Sequence, residues 1–125
     1  AVQHVILGKK MAITNNFIDA TLTTLYTSSG DSAVTSMIFC NYQDTDNIAG
    51  AGNVLTDADT FLDLHIVPNG GSAGDENKIL HQLKIPGGET FIMDSERLVL
   101  ENGDTIVAQT TSPATISATI STVAV

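Results

Sequence analysis

Three groups of residues have types and spacings that could do chemistry. Gly70-Gly71-Ser72-Ala73-Gly74 fits the G-x-S-x-G pattern of a nucleophile elbow and follows a strand-like run. An elbow serine needs a parallel α/β sheet beneath it, then an acid and a histidine downstream. Only His81 follows, nine residues beyond Ser72, and 125 residues are too few for that architecture. The expectation is a glycine-rich surface turn.

The second group is acidic. Asp44, Asp46, Asp57, Asp59 and Asp63 crowd a long polar stretch that includes Ala49-Gly50-Ala51-Gly52. Ca²⁺ takes several carboxylate oxygens at about 2.4 Å, and the alternate spacing of Asp44 and Asp46 lets their side chains converge. The glycine and distal glutamate of an EF-hand loop are missing. A solvated acidic loop is expected. If a structural Ca²⁺ is held at all, Asp44, Asp46, Asp57 and Asp59 are the residues to hold it.

The third group is His4, His65, His81 and Cys40, whose spacings match no zinc site. A carboxylate pair for glycoside hydrolysis would lack the aromatic platforms that hold a sugar, since the chain has six aromatic residues and no Trp. Gly87-Gly88 is followed by no Lys-Ser/Thr and so is no phosphate loop. The expectation is a protein without enzymatic activity and without a cofactor.

Charge narrows the partners. Five basic residues stand against 14 acidic ones, for a net charge of −9, and no Lys or Arg occurs between Met11 and Asn77. Nucleic-acid binding requires cations on the phosphates, so nucleic acid is not an expected partner. An anionic membrane surface is disfavoured for the same reason, and no run approaches the 18 apolar residues of a spanning helix. The charges of the first ten residues follow a short apolar run, whereas a signal peptide carries them before it. Export by the secretory route is therefore not expected. Cys40 is the only cysteine, which precludes an intrachain disulfide. Within Met37-Ile38-Phe39-Cys40 it reads as a small buried hydrophobe.

The elements that must carry these residues are strands. Thr, Ile and Val number 37, against 4 Lys, and β-branched side chains favour the pleated sheet. Hydrophobic residues at 42% exclude intrinsic disorder. Short apolar runs between turn residues place strands at 19–27, 33–41, 60–67, 90–93, 97–100, 105–110 and 114–125; in 78–85 Ile79, Leu80 and Leu83 fit a helical spacing, but the segment is short and a strand is expected there too. In the first, Ala20, Leu22, Thr24 and Tyr26 are expected on one face. In the third, Leu62, Leu64 and Ile66 are expected inward, with Asp63 and His65 outward. Asn102-Gly103 suggests a type I′ hairpin joining the strands on either side. About eight strands at this spacing predict a single all-β domain, an antiparallel β-sandwich of Ig-like or jelly-roll-like form. Residues 12–125 form the sandwich. Residues 1–11 read as an arm or edge strand, with Val2, His4, Ile6, Lys9 and Lys10 as its contact residues. The strand faces are rich in Thr and Ser, which suits packing in a larger assembly.

Several stretches carry a resemblance. They are Thr24-Leu25-Tyr26-Thr27, Ala33-Val34-Thr35, Ile38-Phe39-Cys40-Asn41, Leu62-Asp63-Leu64-His65-Ile66-Val67-Pro68, Ile85-Pro86-Gly87-Gly88-Glu89-Thr90-Phe91, and the segment from Leu98 to Ile106 through Asn102-Gly103. Over residues 20–125 the chain resembles the small β-sandwich structural proteins of tailed bacteriophages, of the cyanophage and marine-phage type. The 43–59 loop is longer than that pattern, and the arm lies outside it. The resemblance implies a virion component without enzymatic activity, located in the virion and present in many copies. It implies other virion proteins as partners, whether the major capsid protein or tail and neck components, and a homo-oligomer, with a trimer favoured. Capsid decoration or cement is the favoured role. The alternatives are a neck, tail or fibre accessory, or a Ca²⁺-dependent carbohydrate- or receptor-binding module.

Overall fold

The structure, a computed structural model, describes residues 11–43, 59–94 and 98–125. They form two antiparallel sheets packed face to face as a β-sandwich. The strands are β1 (Met11–Ile18), β2 (Thr23–Thr27), β3 (Ser32–Asn41), β4 (Thr60–Val67), β5 (Lys78–Ile85), β6 (Thr90–Met93), β7 (Leu98–Leu100), β8 (Thr105–Thr110) and β9 (Ile116–Ala124). A single 3₁₀ turn, Asp75–Asn77, precedes β5.

The first sheet runs β1-β9-β3-β6, with β7 also paired to β3; the second runs β2-β8-β4-β5. If β6 and β7 are taken as two pieces of one strand along β3, the order is that of an eight-stranded jelly roll. This settles the sandwich form left open between Ig-like and jelly-roll-like. All but two of the connections cross between the sheets. Only β4 to β5 and β6 to β7 stay within one.

Alternation explains the core. In β9, Ile116, Ala118 and Ile120 point inward and are at most 2% exposed, while Ser117, Thr119 and Ser121 point outward. Val34, Met37 and Phe39 of β3 face them from the neighbouring strand, and Leu62, Leu64, Ile106 and Ala108 close the core from the second sheet. Each large aliphatic or aromatic side chain so buried contributes about 1.5–3 kcal/mol. Among the described residues one buried side-chain polar atom, Gln43 Oε1, lacks a hydrogen-bond partner, while the polar side chains of the core are paired. Asn41 is fully buried, donating to Ile85 O at 2.8 Å and accepting from Gln43 N and Thr115 Oγ1. It ties the ends of β3, β5 and β9 together.

The structure departs from the sequence expectations at five places. Met11–Ile18 is a ninth strand, where eight were expected. Thr24 and Tyr26 do not share the one face expected of Ala20, Leu22, Thr24 and Tyr26: a bulge between them inserts a residue, so that Leu25 is buried in the core and Tyr26 packs against it. The Asn102-Gly103 turn is not a hairpin: β7 pairs with β3 and β8 with β2 and β4, so the turn passes from one sheet to the other. It closes with Asp104 N donating to Glu101 O at 3.0 Å and has positive φ at Gly103 but not at Asn102. That is a type II geometry, not type I′. Cys40 is half-buried on the outer side of β3, because Met37 and Phe39 take the inward positions. His65 has outward parity, yet is only 5% exposed, because residues 70–77 fold over it.

Candidate functional site

The Gly70–Gly74 segment is placed as a loop over the second sheet. Gly70 has φ +83° in the turn that ends β4, and Gly71 N donates to Pro68 O at 2.9 Å. His65 Nδ1 lies 3.0 Å from Gly74 O and 2.9 Å from Asn77 Oδ1. Asn77 Oδ1 also accepts from Gly74 N, so both neighbours of the ring nitrogen are acceptors and Nδ1 carries the proton. Asn77 Nδ2 donates to Ser72 O. The histidine and the serine motif therefore meet through backbone carbonyls, and His65 acts as a peg for the loop. Ser72 is exposed and is followed by a single 3₁₀ turn, not the helix of an elbow.

Of the acidic candidates, Asp44, Asp46 and Asp57 lie outside the described residues. Asp59 pairs with Lys84 at 3.4 Å. Asp63 accepts from Gln82 N at 2.7 Å and lies 3.8 Å from Lys78 Nζ and 3.4 Å from His81 Nδ1. Among the described residues no three His, Cys, Asp or Glu side chains are grouped to hold a metal. His4 and the other arm residues, Val2, Ile6, Lys9 and Lys10, also fall outside the described residues. His65 and His81 are on the second sheet and Cys40 is on the first, so they do not converge.

The two outer faces differ sharply in charge. The second sheet carries both described lysines, Lys78 and Lys84, with their carboxylate partners Asp59, Asp63 and Asp75. The outer face of the first sheet has no charged residue at any strand position. Its register gives four rows: Met11, Val123, Ala33 and Val99; Ile13, Ser121 and Ser36; Asn15, Thr119, Ile38 and Ile92; and Phe17, Ser117, Cys40 and Thr90. Large apolar residues are concentrated on the outer columns, β1 and β6/β7. Small residues fill the centre, with Ile38 the exception. Met11, Ile13, Phe17, Ile92 and Val99 are 54–77% exposed.

Aromatic contact and hydrogen bonding order this face. Phe17 packs edge-on against Tyr42 with centroids 5.6 Å apart. Thr119 Oγ1 donates to Asn15 Oδ1 at 2.8 Å. Shallow depressions of about 380 Å³ beside Phe17 and about 400 Å³ beside Met11 and Ile13 open onto it. The carboxylates of Asp31, Glu89 and Asp94 stand at strand ends around its rim. Most exposed apolar residues on a monomer are scattered singly, whereas a contiguous patch marks a contact surface. Sequence alternation alone did not reveal this face, because its apolar members come from five strands that are adjacent only after folding.

No protein-family model matches the sequence, and no curated protein or solved structure is significantly similar to it. The site is accordingly defined by its own geometry: an uncharged, partly apolar sheet surface on an otherwise acidic jelly roll.

Proposed function

We propose that this chain is a non-enzymatic structural subunit of a tailed-phage virion, and that its place there is capsid decoration. The observation that carries this reading is the uncharged outer face of the first sheet. A chain of net charge −9 with a partly apolar, uncharged sheet face is built to join a larger body through that face. Thr and Ser on the same face add hydrogen bonds without the desolvation cost of charges. The jelly-roll order fits as well, because this architecture is common among capsid domains, and it agrees with the resemblance to small phage β-sandwich proteins. A neck, tail or fibre position is the second place such a subunit could occupy.

The test is to band virions by density from a lysate of a phage whose genome encodes this chain and follow the chain by peptide mass spectrometry and immunogold labelling. The expected result is abundant chain in the virion band, with label spread over the capsid. Label confined to the neck or tail would move the assignment to an accessory protein. Chain found only in the soluble fraction would overturn the virion reading.

A further inference from the structure

We propose that the outer face of the first sheet is where two copies of this chain pack against each other, face to face. This rests on the reading of the chain as an assembly subunit and adds the identity of the neighbour. Charge is the first argument. Two copies that each carry −9 repel over most of their surfaces. The first sheet offers the approach that sets no strand-borne carboxylate against its like.

Area is the second argument. Four strand columns about 4.8 Å apart and about eight residues long project to roughly 500 Å². Two copies would then remove about 1,000 Å² or more from water, the size at which a specific interface begins. Relief is the third. The depressions beside Phe17 and Ile13 leave room for the partner's side chains. Packing of one face on its own copy is isologous and closes as a two-fold dimer, not as the trimer expected from the resemblance. The contact would bring the acidic rims of the two copies near each other, so added salt should tighten it by screening that repulsion.

Sedimentation equilibrium of the full chain tests this. The expected result is a species of twice the 13.1 kDa chain mass, whose dissociation constant falls as salt is raised. Ile13→Asp and Val99→Asp, at side chains 70% and 69% exposed, should weaken it by about tenfold or more. Ile79→Asp on β5, 43% exposed, should leave it intact. Thermal melting verifies that each variant folds. If a variant fails to fold, alkylation of Cys40 in the unaltered chain decides instead: its rate should fall as protein concentration rises. A monomer at every concentration, a threefold mass, a dimer indifferent to both face variants, or a concentration-independent Cys40 rate would overturn the proposal. None of those outcomes alters where the chain bands in a density gradient, so a failed dimer and a failed virion assignment are told apart.

Discussion

At Gly103 the backbone has φ +88°, and a Cβ there would stand 2.5 Å from Asn69 Cγ. The turn it serves is locked to its neighbour. Gly103 N donates to Ser28 O, Ser28 N to Asp104 O, and Gly30 N to Asn102 Oδ1. Asp104 in turn accepts from Asn69 N and Glu101 N. A left-handed conformation costs an L-residue about 1–2 kcal/mol, more if it is β-branched, and the Asn69 clash adds to that. Gly103→Val should therefore lower the melting temperature by about 5 °C or more. An unchanged melting temperature would contradict the type II assignment. At this scale the sequence was half legible. Asn-Gly located the turn, because its φ requirement is local. What the turn joins was hidden, because pairing of β7 with β3 depends on residues more than 60 positions away. His65 shows the same division: its outward parity was readable, but its burial by the 70–77 loop was not.

Among the elements, β1 shows most clearly why a strand can escape sequence pattern. Its sequence MAITNNFI places Thr14, Asn16 and Ile18 on the inner side and Met11, Ile13 and Phe17 outside. That reverses the usual apolar-in alternation of a half-buried strand. Asn16 is tolerated on the inner side because β1 lies at the open edge of the sandwich, where its Nδ2 donates to Leu25 O of β2 in the opposite sheet at 2.9 Å. Short apolar runs bounded by turn residues were placed within a residue or two: 60–67, 78–85, 90–93 and 105–110 coincide with β4, β5, β6 and β8, although Ile79, Leu80 and Leu83 in 78–85 also fit a helical spacing. β2 was misread in its facing because a single bulged residue inverts every side chain beyond it. Asn16→Ala removes the one side-chain hydrogen bond between β1 and β2, worth about 1 kcal/mol. Hydrogen exchange should then quicken in β1 while β3 and β8 keep their protection. Equal loss of protection across all three strands would show that β1 is not a separable edge but part of the cooperative core.

For the whole molecule, the distribution of charge matters more than its sum. The composition announced an acidic protein poor in cations, and that excluded nucleic acid as an expected partner. It could not announce that the described cations gather on β5 while the opposite sheet is left without charge, because that separation arises only when β1, β9, β3 and β6 become neighbours. The two sheets thus take different parts. The second covers its outer side with ion pairs and the loop pegged by His65. The first keeps its outer side uncharged and partly apolar, and the account assigns contact to it. Hydroxyl-radical footprinting of the chain, free in dilute solution and incorporated in purified particles, tests that assignment most directly. Met11, Phe17 and Tyr42 report on the first sheet and Phe61 on the second. The account predicts strong protection of Met11, Phe17 and Tyr42 in the particle with Phe61 unchanged. Protection of Phe61 with Met11, Phe17 and Tyr42 still reactive would contradict it.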